Sequence, residues 1–84
     1  MGTGKQTILV AEDEPHLREV LRFQLEAAGY IVLEARDGQQ ALDVATETLP
    51  DLLLLDVMMP HLNGYEVCQL LRAEYATRHI PIIM

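Results

Sequence analysis

The fold is decided by two short stretches, Ile8-Leu9-Val10-Ala11-Glu12-Asp13 and Leu52-Leu53-Leu54-Leu55-Asp56. Each is a run of four consecutive apolar residues followed directly by acidic side chains. Such runs are typical of strands that are buried on both faces, as in parallel sheets covered by helices. We therefore predict two central strands of one sheet, each with acids at its carboxyl end.

Three segments with apolar residues three or four positions apart predict helices. Their approximate bounds are Glu14 to Ala28, Gly38 to Thr46 and Tyr65 to Tyr75. The residues predicted to face inward are Leu17, Val20, Leu21, Leu25 and Ala28 in the first helix, Ala41, Leu42 and Ala45 in the second, and Val67, Cys68 and Leu71 in the third. Gly29 is predicted to end the first helix in a left-handed conformation, and Pro50 to stop the second.

Two more apolar runs, Ile31 to Ala35 and Ile80 to Met84, predict a second and a fourth strand. Glu34 interrupts the first of them, which favours an edge strand with some exposure. Strands that alternate with helices form a parallel sheet with right-handed crossovers, so the predicted fold class is α/β, doubly wound in three layers. Residues 1–6 are predicted to be a flexible tail and residues 7–84 a single domain.

The composition narrows the classes of partner. Among the 84 residues, 13 acidic and 6 basic side chains give a formal net charge of −7, which argues against nucleic acid and anionic membranes as partners. It suits a cation, or a partner with a basic face. Cys68 is the only cysteine, so no internal disulfide can form. With no signal peptide or membrane-spanning run in the sequence, we expect a cytoplasmic protein.

The acids after the strands predict a functional site. The carboxyl ends of parallel strands lie at one edge of the sheet, so Glu12, Asp13 and Asp56 meet there if the first and third strands are neighbours. Three close carboxylates repel one another unless a cation neutralises them, and hard oxygen ligands suit Mg²⁺. A carboxylate beside such a metal can act as a nucleophile towards phosphorus. The alternative is that the acids only cap helices and favour turns, and for Glu14 that interpretation is the better one.

Several motifs together resemble the receiver domain of bacterial response regulators. The residues that carry the resemblance are Ile8 to Pro15 (ILVAEDEP), Leu53 to Pro60 (LLLDVMMP), Asn63-Gly64, Gly29-Tyr30, Ala35 and Asp37-Gly38. The resemblance extends from Thr7 to Met84. It implies a flavodoxin-like fold with strand order 2-1-3-4-5, of which this sequence holds the first four strands in the order 2-1-3-4.

The resemblance also implies the chemistry of the site. Asp56 would accept a phosphoryl group from the phosphohistidine of a histidine kinase. Asp13, Asp56 and the backbone carbonyl of Met58 would bind Mg²⁺, or Mn²⁺ in its place. Glu12 stands where the family usually has Asp, a residue that often contacts the metal through water.

The 84 residues do not include two positions of the family's site, a Thr or Ser after strand four and a Lys after strand five. Two hypotheses follow. The chain is a phosphorelay receiver, which is a switch and not an enzyme, or it is a truncated or degenerate receiver, or a half-domain fragment, that acts in protein interaction or oligomerisation without phosphotransfer. A phosphatase is disfavoured, because it would need a second acid where Met58 stands. The apolar run from Ile80 to Met84 is predicted to be an exposed edge that forms a homodimer or accepts a complementing chain.

Overall fold

The computed structural model describes residues 4–84, which form four strands and three helices. In chain order these are β1 (Thr7–Ala11), α1 (Pro15–Ala27), β2 (Ile31–Ala35), α2 (Gly38–Thr48), β3 (Leu52–Leu55), α3 (Gly64–Ala73) and β4 (Ile82–Ile83). All the strand pairs are parallel, and the order across the sheet is β2-β1-β3-β4. The predicted doubly wound sheet, with β2 at one edge, is confirmed.

The register of the sheet brings two strand ends to the same level. Leu9 of β1 lies opposite Leu53 of β3, and Ala11 lies opposite Leu55. The next residue of each strand, Glu12 and Asp56, therefore leaves the sheet at the same edge.

Two helices cover one face of the sheet and one helix covers the other. Side chains of α2 and α3 pack on alternate residues of β1 and β3 and form the main core. The buried members of this core are Leu9, Ala11, Ala35, Ala41, Ala45, Leu53, Leu55, Met59, Val67, Leu71 and Ile80. Ile8 and Val10 are buried outside this cluster. As alternate residues of β1, they point to the opposite face, where α1 packs on β1 and β2.

Each helix begins at a side chain that caps its first turn. Glu14 accepts hydrogen bonds from the backbone N–H groups of His16 and Leu17, as its cap interpretation predicted. Asp37 caps α2, and Asn63 forms a capping box with Glu66 at the start of α3. These caps fix where each connection from a strand ends.

The predicted apolar stripe of α1 is buried less than expected. No residue of α1 is fully buried, and Leu17 and Val20 are 45% and 41% exposed. Leu21 and Leu25 are half-buried, whereas Ala28, which follows the helix, is exposed. The physical reason is that α1 packs on β1 and β2 without a second helix beside it among residues 4–84. In contrast, Val67 and Leu71 of α3 are fully buried, because α2 and α3 pack against each other.

The fourth strand is shorter than predicted. Only Ile82 and Ile83 form the strand, opposite Leu53 and Leu54. Ile80 instead packs in the core, and its carbonyl accepts a hydrogen bond from Arg72 at 2.8 Å. Pro81 has no N–H to donate, although its carbonyl accepts from the Leu53 amide at 2.9 Å.

The prediction of a flexible tail over residues 1–6 lies partly outside the described residues. Within the described part, the carbonyl of Gln6 already accepts a hydrogen bond from the Ile31 amide at 2.9 Å. The flexibility of the tail stays a prediction. Gly29 adopts the left-handed conformation predicted for the end of α1, with φ of 100°.

Candidate metal and phosphoacceptor site

The structure brings the three predicted acids together. Glu12, Asp13 and Asp56 each offer one carboxylate oxygen, and these oxygens lie within 4.8 Å of one another. Glu12 and Asp13 belong to the loop from β1 to α1, and Asp56 is the first residue after β3. The side chains differ in exposure, since Glu12 is buried, Asp56 is half-buried and Asp13 is exposed. The cluster is therefore open to solvent on the side of Asp13.

Glu12 is the most constrained of the three acids. Its side-chain Oε2 accepts a hydrogen bond from the Glu14 amide at 3.1 Å, and its own amide donates to the carbonyl of Ala35 at 3.0 Å. Burial raises the pKa of Glu12, and the nearby carboxylates of Asp56 and Asp13 raise this pKa further. The hydrogen bond from Glu14 acts in the opposite direction, because it stabilises the ionised form. A cation at the cluster would favour the ionised form of Glu12.

The backbone on both sides of Asp56 is held by neighbouring elements. The Asp56 amide donates to the carbonyl of Ala11 at 3.0 Å, which continues the pairing of β3 with β1. The Met58 amide lies 3.3 Å from Oδ1 of Asp56 and donates to it. The Gly64 amide donates to the carbonyl of Val57 at 2.9 Å. These contacts set the position of the Asp56 carboxylate relative to the first turn of α3.

Met58 itself lies beside the cluster. The residue is 78% exposed, so it contributes little to packing, and its backbone amide contacts Asp56. That its carbonyl is a metal ligand stays a prediction.

Two positioning features of the site were not predicted from the sequence. Arg18 of α1 donates from Nη1 to the carbonyl oxygen of Glu12 at 2.7 Å. At Gly64, an added Cβ atom would lie 2.6 Å from the carbonyl oxygen of Asp56, which is closer than a real side chain can approach. The Asn63-Gly64 pair was recognised as part of a motif, but its contact with Asp56 is visible only in the folded chain. Nothing in the sequence indicates the contact of Arg18.

The donor set fits a small divalent cation. Three carboxylates at one sheet edge provide hard oxygen ligands, and the exposure of Asp13 leaves room for water in the rest of the coordination shell. Such a site suits Mg²⁺, which keeps several waters when it binds to proteins. Acidic clusters of this kind are common in proteins that bind no metal there. The interpretation of this cluster as a metal site therefore depends on the family to which the chain belongs.

Comparison with known proteins identifies that family. The family model described as "Response regulator receiver domain" matches residues 8–84. The DNA-binding response regulator MtrA of Mycolicibacterium smegmatis is 44% identical over 84 residues, which are all of this chain and 36% of MtrA. The probable transcriptional regulator ycf27 of Cyanophora paradoxa is 48% identical over 84 residues, or 34% of its length.

Solved structures agree with this result. The N-terminal domain of a response regulator receiver protein from Methanoculleus marisnigri superposes with a TM-score of 0.88 at 39% identity, over 92% of this chain and 63% of that one. The receiver domain of the sensor histidine kinase PA1611 from Pseudomonas aeruginosa has a TM-score of 0.89 at 35% identity, over 94% of this chain and 65% of that one. Its structure is described as having a magnesium ion coordinated in the active site cleft.

The fold and the acidic edge therefore define a receiver module of two-component signalling. The chain belongs to the response regulator receiver domain family. It spans about a third of the length of the curated relatives named above, at 36% and 34%, and about two thirds of the solved receiver chains, at 63% and 65%. The family match covers every residue of the sheet except Thr7, and every residue of the acidic cluster.

These findings bear on the expectations about nucleic-acid partners and about cellular location. The predicted absence of nucleic-acid partners is not supported for longer proteins of the family, because MtrA is named as a DNA-binding regulator. No helix formed by residues 4–84 is long and apolar enough to cross a membrane. The cytoplasmic location stays a prediction.

Proposed function

We propose that this chain is a phosphorelay receiver in which Asp56 accepts a phosphoryl group in a Mg²⁺-dependent reaction. The observation that carries the proposal is the distance of at most 4.8 Å between carboxylate oxygens of Glu12, Asp13 and Asp56. Asp56 is the natural acceptor, because it is the acid that follows the central strand β3 and is half-exposed. The phosphodonor is a phosphohistidine on a histidine kinase, as is general for receiver domains.

The chain's own residues would perform the transfer in the following way. A carboxylate oxygen of Asp56 forms a bond to phosphorus while the bond from phosphorus to the histidine nitrogen breaks, and the electron pair of that bond stays on the imidazole. Asp13, Asp56 and the Met58 carbonyl would hold Mg²⁺, with Glu12 beside it. When bound, the metal offsets the negative charge of the incoming phosphoryl group. The Met58 amide, which donates to Oδ1, orients the Asp56 carboxylate.

The test is phosphorylation with a small phosphodonor, acetyl phosphate, in the presence of Mg²⁺. We expect a mass increase of one phosphoryl group on the unaltered chain and none after Asp56→Asn. A chelator should abolish the reaction of the unaltered chain. Glu47→Gln is the matched control, because it neutralises an exposed carboxylate of α2 outside the cluster. Label that persists in Asp56→Asn, or that maps to a histidine, would refute the assignment.

The second candidate function is protein association without phosphotransfer. It is favoured by the edge strand β4, which has no neighbour beyond β3 among the described residues. Ile83 and Met84 at this edge are 57% and 53% exposed, and neither carries a charge. A shallow groove of about 200 Å³ continues from Asp56 past Leu54 to these two residues. We propose that a second copy of the chain pairs with this edge.

Acetyl phosphate separates the two candidates. Uptake at Asp56 supports the receiver function. A folded chain that binds Mg²⁺ and self-associates, but takes up no phosphoryl group, supports the second candidate in its place.

A further inference from the structure

Arg18 contacts the loop that carries two of the three acids. It lies in the first turns of α1, and its side chain is only 19% exposed. Its Nη1 donates to the carbonyl oxygen of Glu12 at 2.7 Å, a short distance for a hydrogen bond from a charged donor. That carbonyl belongs to the peptide group between Glu12 and Asp13. The hydrogen bond therefore fixes the peptide plane from which both carboxylates extend.

The guanidinium group is held from its other side by β2. Arg18 Nε lies 3.3 Å from Oε1 of Glu34, and Arg22 Nε lies 3.3 Å from Oε2 of the same carboxylate. Glu34 forms ion pairs with both arginines, and its hydrogen bond with Arg18 Nε directs that side chain towards the loop. A planar guanidinium can serve two acceptors in fixed directions at once, whereas an ammonium group acts as a point charge on a flexible stem.

We propose that Arg18 is a positioning residue of the metal site, which keeps Glu12 and Asp13 in the arrangement that binds a divalent cation. The inference rests on the proposed function of the acidic cluster. It goes beyond that function, because Arg18 is not itself a ligand and carries the same sign of charge as the ion.

The charge of Arg18 makes this role distinguishable from a purely electrostatic one. A cation beside a metal site repels the metal, so removal of the charge alone would strengthen Mg²⁺ binding. Loss of the hydrogen bond would instead release the peptide between Glu12 and Asp13 and weaken binding. The two roles predict changes of opposite sign.

The experiment measures Mg²⁺ affinity by calorimetric titration of the unaltered chain and of Arg18→Lys, Arg18→Met and Arg22→Lys. Arg18→Lys keeps the positive charge but loses the planar guanidinium group that reaches both the Glu12 carbonyl and the Glu34 carboxylate. Residues that orient metal ligands typically contribute tenfold or more to affinity, so we expect about tenfold weaker binding for Arg18→Lys. Arg22→Lys is the matched control, since Arg22 shares Glu34 but has no hydrogen bond to the loop, and its affinity should be unchanged.

A second measurement requires no metal. In the metal-free chain, amide hydrogen exchange at Glu12 and Glu14 reports the order of the loop, because both amides are hydrogen-bonded there. We expect faster exchange at Glu14 in Arg18→Lys and unchanged exchange in Arg22→Lys. Circular dichroism establishes that each variant is folded.

The outcomes separate this inference from the proposed function. If the unaltered chain binds Mg²⁺ and Arg18→Lys binds it equally well, Arg18 has no positioning role and the metal site stands. Tighter binding by Arg18→Met together with unaltered binding by Arg18→Lys would show a purely electrostatic role and overturn the inference. If the unaltered chain binds no Mg²⁺, the proposed metal site fails and the role of Arg18 fails with it.

Discussion

The backbone of Gly64 lies against the backbone of Asp56. A Cβ atom on Gly64 would be 2.6 Å from the carbonyl oxygen of Asp56 and 2.8 Å from the Cα atom of Val57. These are backbone atoms, which cannot move away from an added Cβ atom by a change of rotamer as the end of a flexible side chain can. The first turn of α3 therefore determines where Asp56 lies, and only glycine allows this approach.

The first prediction follows from that contact. In a helix interior alanine is favoured over glycine by about 1 kcal/mol, and Gly64, the first residue of α3, would gain less than this from Gly64→Ala if it were uncrowded. Here we expect the free energy of unfolding to fall by about 1–3 kcal/mol, as for other overpacked sites, and Mg²⁺ affinity to fall with it. Urea unfolding and metal titration measure the two effects. Gln69→Ala, on the exposed side of α3, is the control and should change neither. A stabilised Gly64→Ala variant would mean that the contact is relaxed in solution.

The second prediction concerns the metal ligands. Asp13→Asn and Asp56→Asn each remove one negative charge and one strong oxygen ligand from the cluster. Each should weaken Mg²⁺ or Mn²⁺ binding by about tenfold or more, because loss of a ligand costs at least as much as loss of a group that orients one. Calorimetric titration gives the affinities, with Asp43→Asn, an exposed acid of α2, as the control. Equal affinity in both site variants and the unaltered chain would rule out this metal site.

The third prediction concerns pH in the absence of metal. The pKa of Glu12 is raised in the folded chain above the ordinary value of 4.5, mainly by burial. The folded state therefore binds this proton more tightly than the unfolded state, and stability falls as pH rises through the window above 4.5. Glu12→Gln cannot ionise and should be the more stable chain at pH 7.

That gain should shrink as pH falls towards 4.5 and vanish below it, where Glu12 is protonated in both states. Urea unfolding at several pH values with a chelator present is the measurement. Glu47→Gln, at an exposed carboxylate of α2, serves as the control. A Glu12→Gln variant that is less stable than the unaltered chain at pH 7 would contradict the assignment of burial as the dominant effect.

The fourth prediction is that the chain of 84 residues does not remain a monomer. The uncharged, exposed edge at Ile83 and Met84 should pair with another copy, and light scattering on the pure chain should give at least the mass of a dimer. Ile83→Lys places a charge on this edge and should restore the monomer. Tyr75→Lys, at a side chain that is 81% exposed away from the strand, should not. A folded monomer of the unaltered chain at micromolar concentration would disprove the prediction.

Most of the sheet could be predicted from the sequence. The runs Ile31–Ala35 and Leu52–Leu55 form strands with the predicted bounds. Short, mainly apolar runs of this kind are buried most readily as strands of a sheet that is covered by helices. The acids after β1 and β3 were predicted to meet if these strands were neighbours, and the pairing of Ala11 with Leu55 makes them so. Strand order itself came from the family resemblance, since the apolar runs alone do not state which strands pair.

The remainder depends on contacts between residues distant in the chain. The pattern of α1 correctly predicted a helix, but the exposure of Leu17 and Val20 depends on what packs beside that helix. Ile80 was predicted to lie in the fourth strand. It packs in the core instead, and its carbonyl accepts a hydrogen bond from Arg72. Arg18 is six residues from Glu12 and sixteen from Glu34, and only the folded chain reveals that it connects them.

The two edges of the sheet differ in a way that limits how copies of this chain can assemble. At β2, Glu34 is engaged by Arg18 and Arg22, so pairing of another strand there would have to remove these charges from water. At β4 there is no such cost. We therefore expect each chain to pair through β4 alone, and two such edges that meet around a twofold axis would leave none for a third chain. Growth would then stop at a closed pair, whereas a sheet with two bare edges would propagate into a fibre.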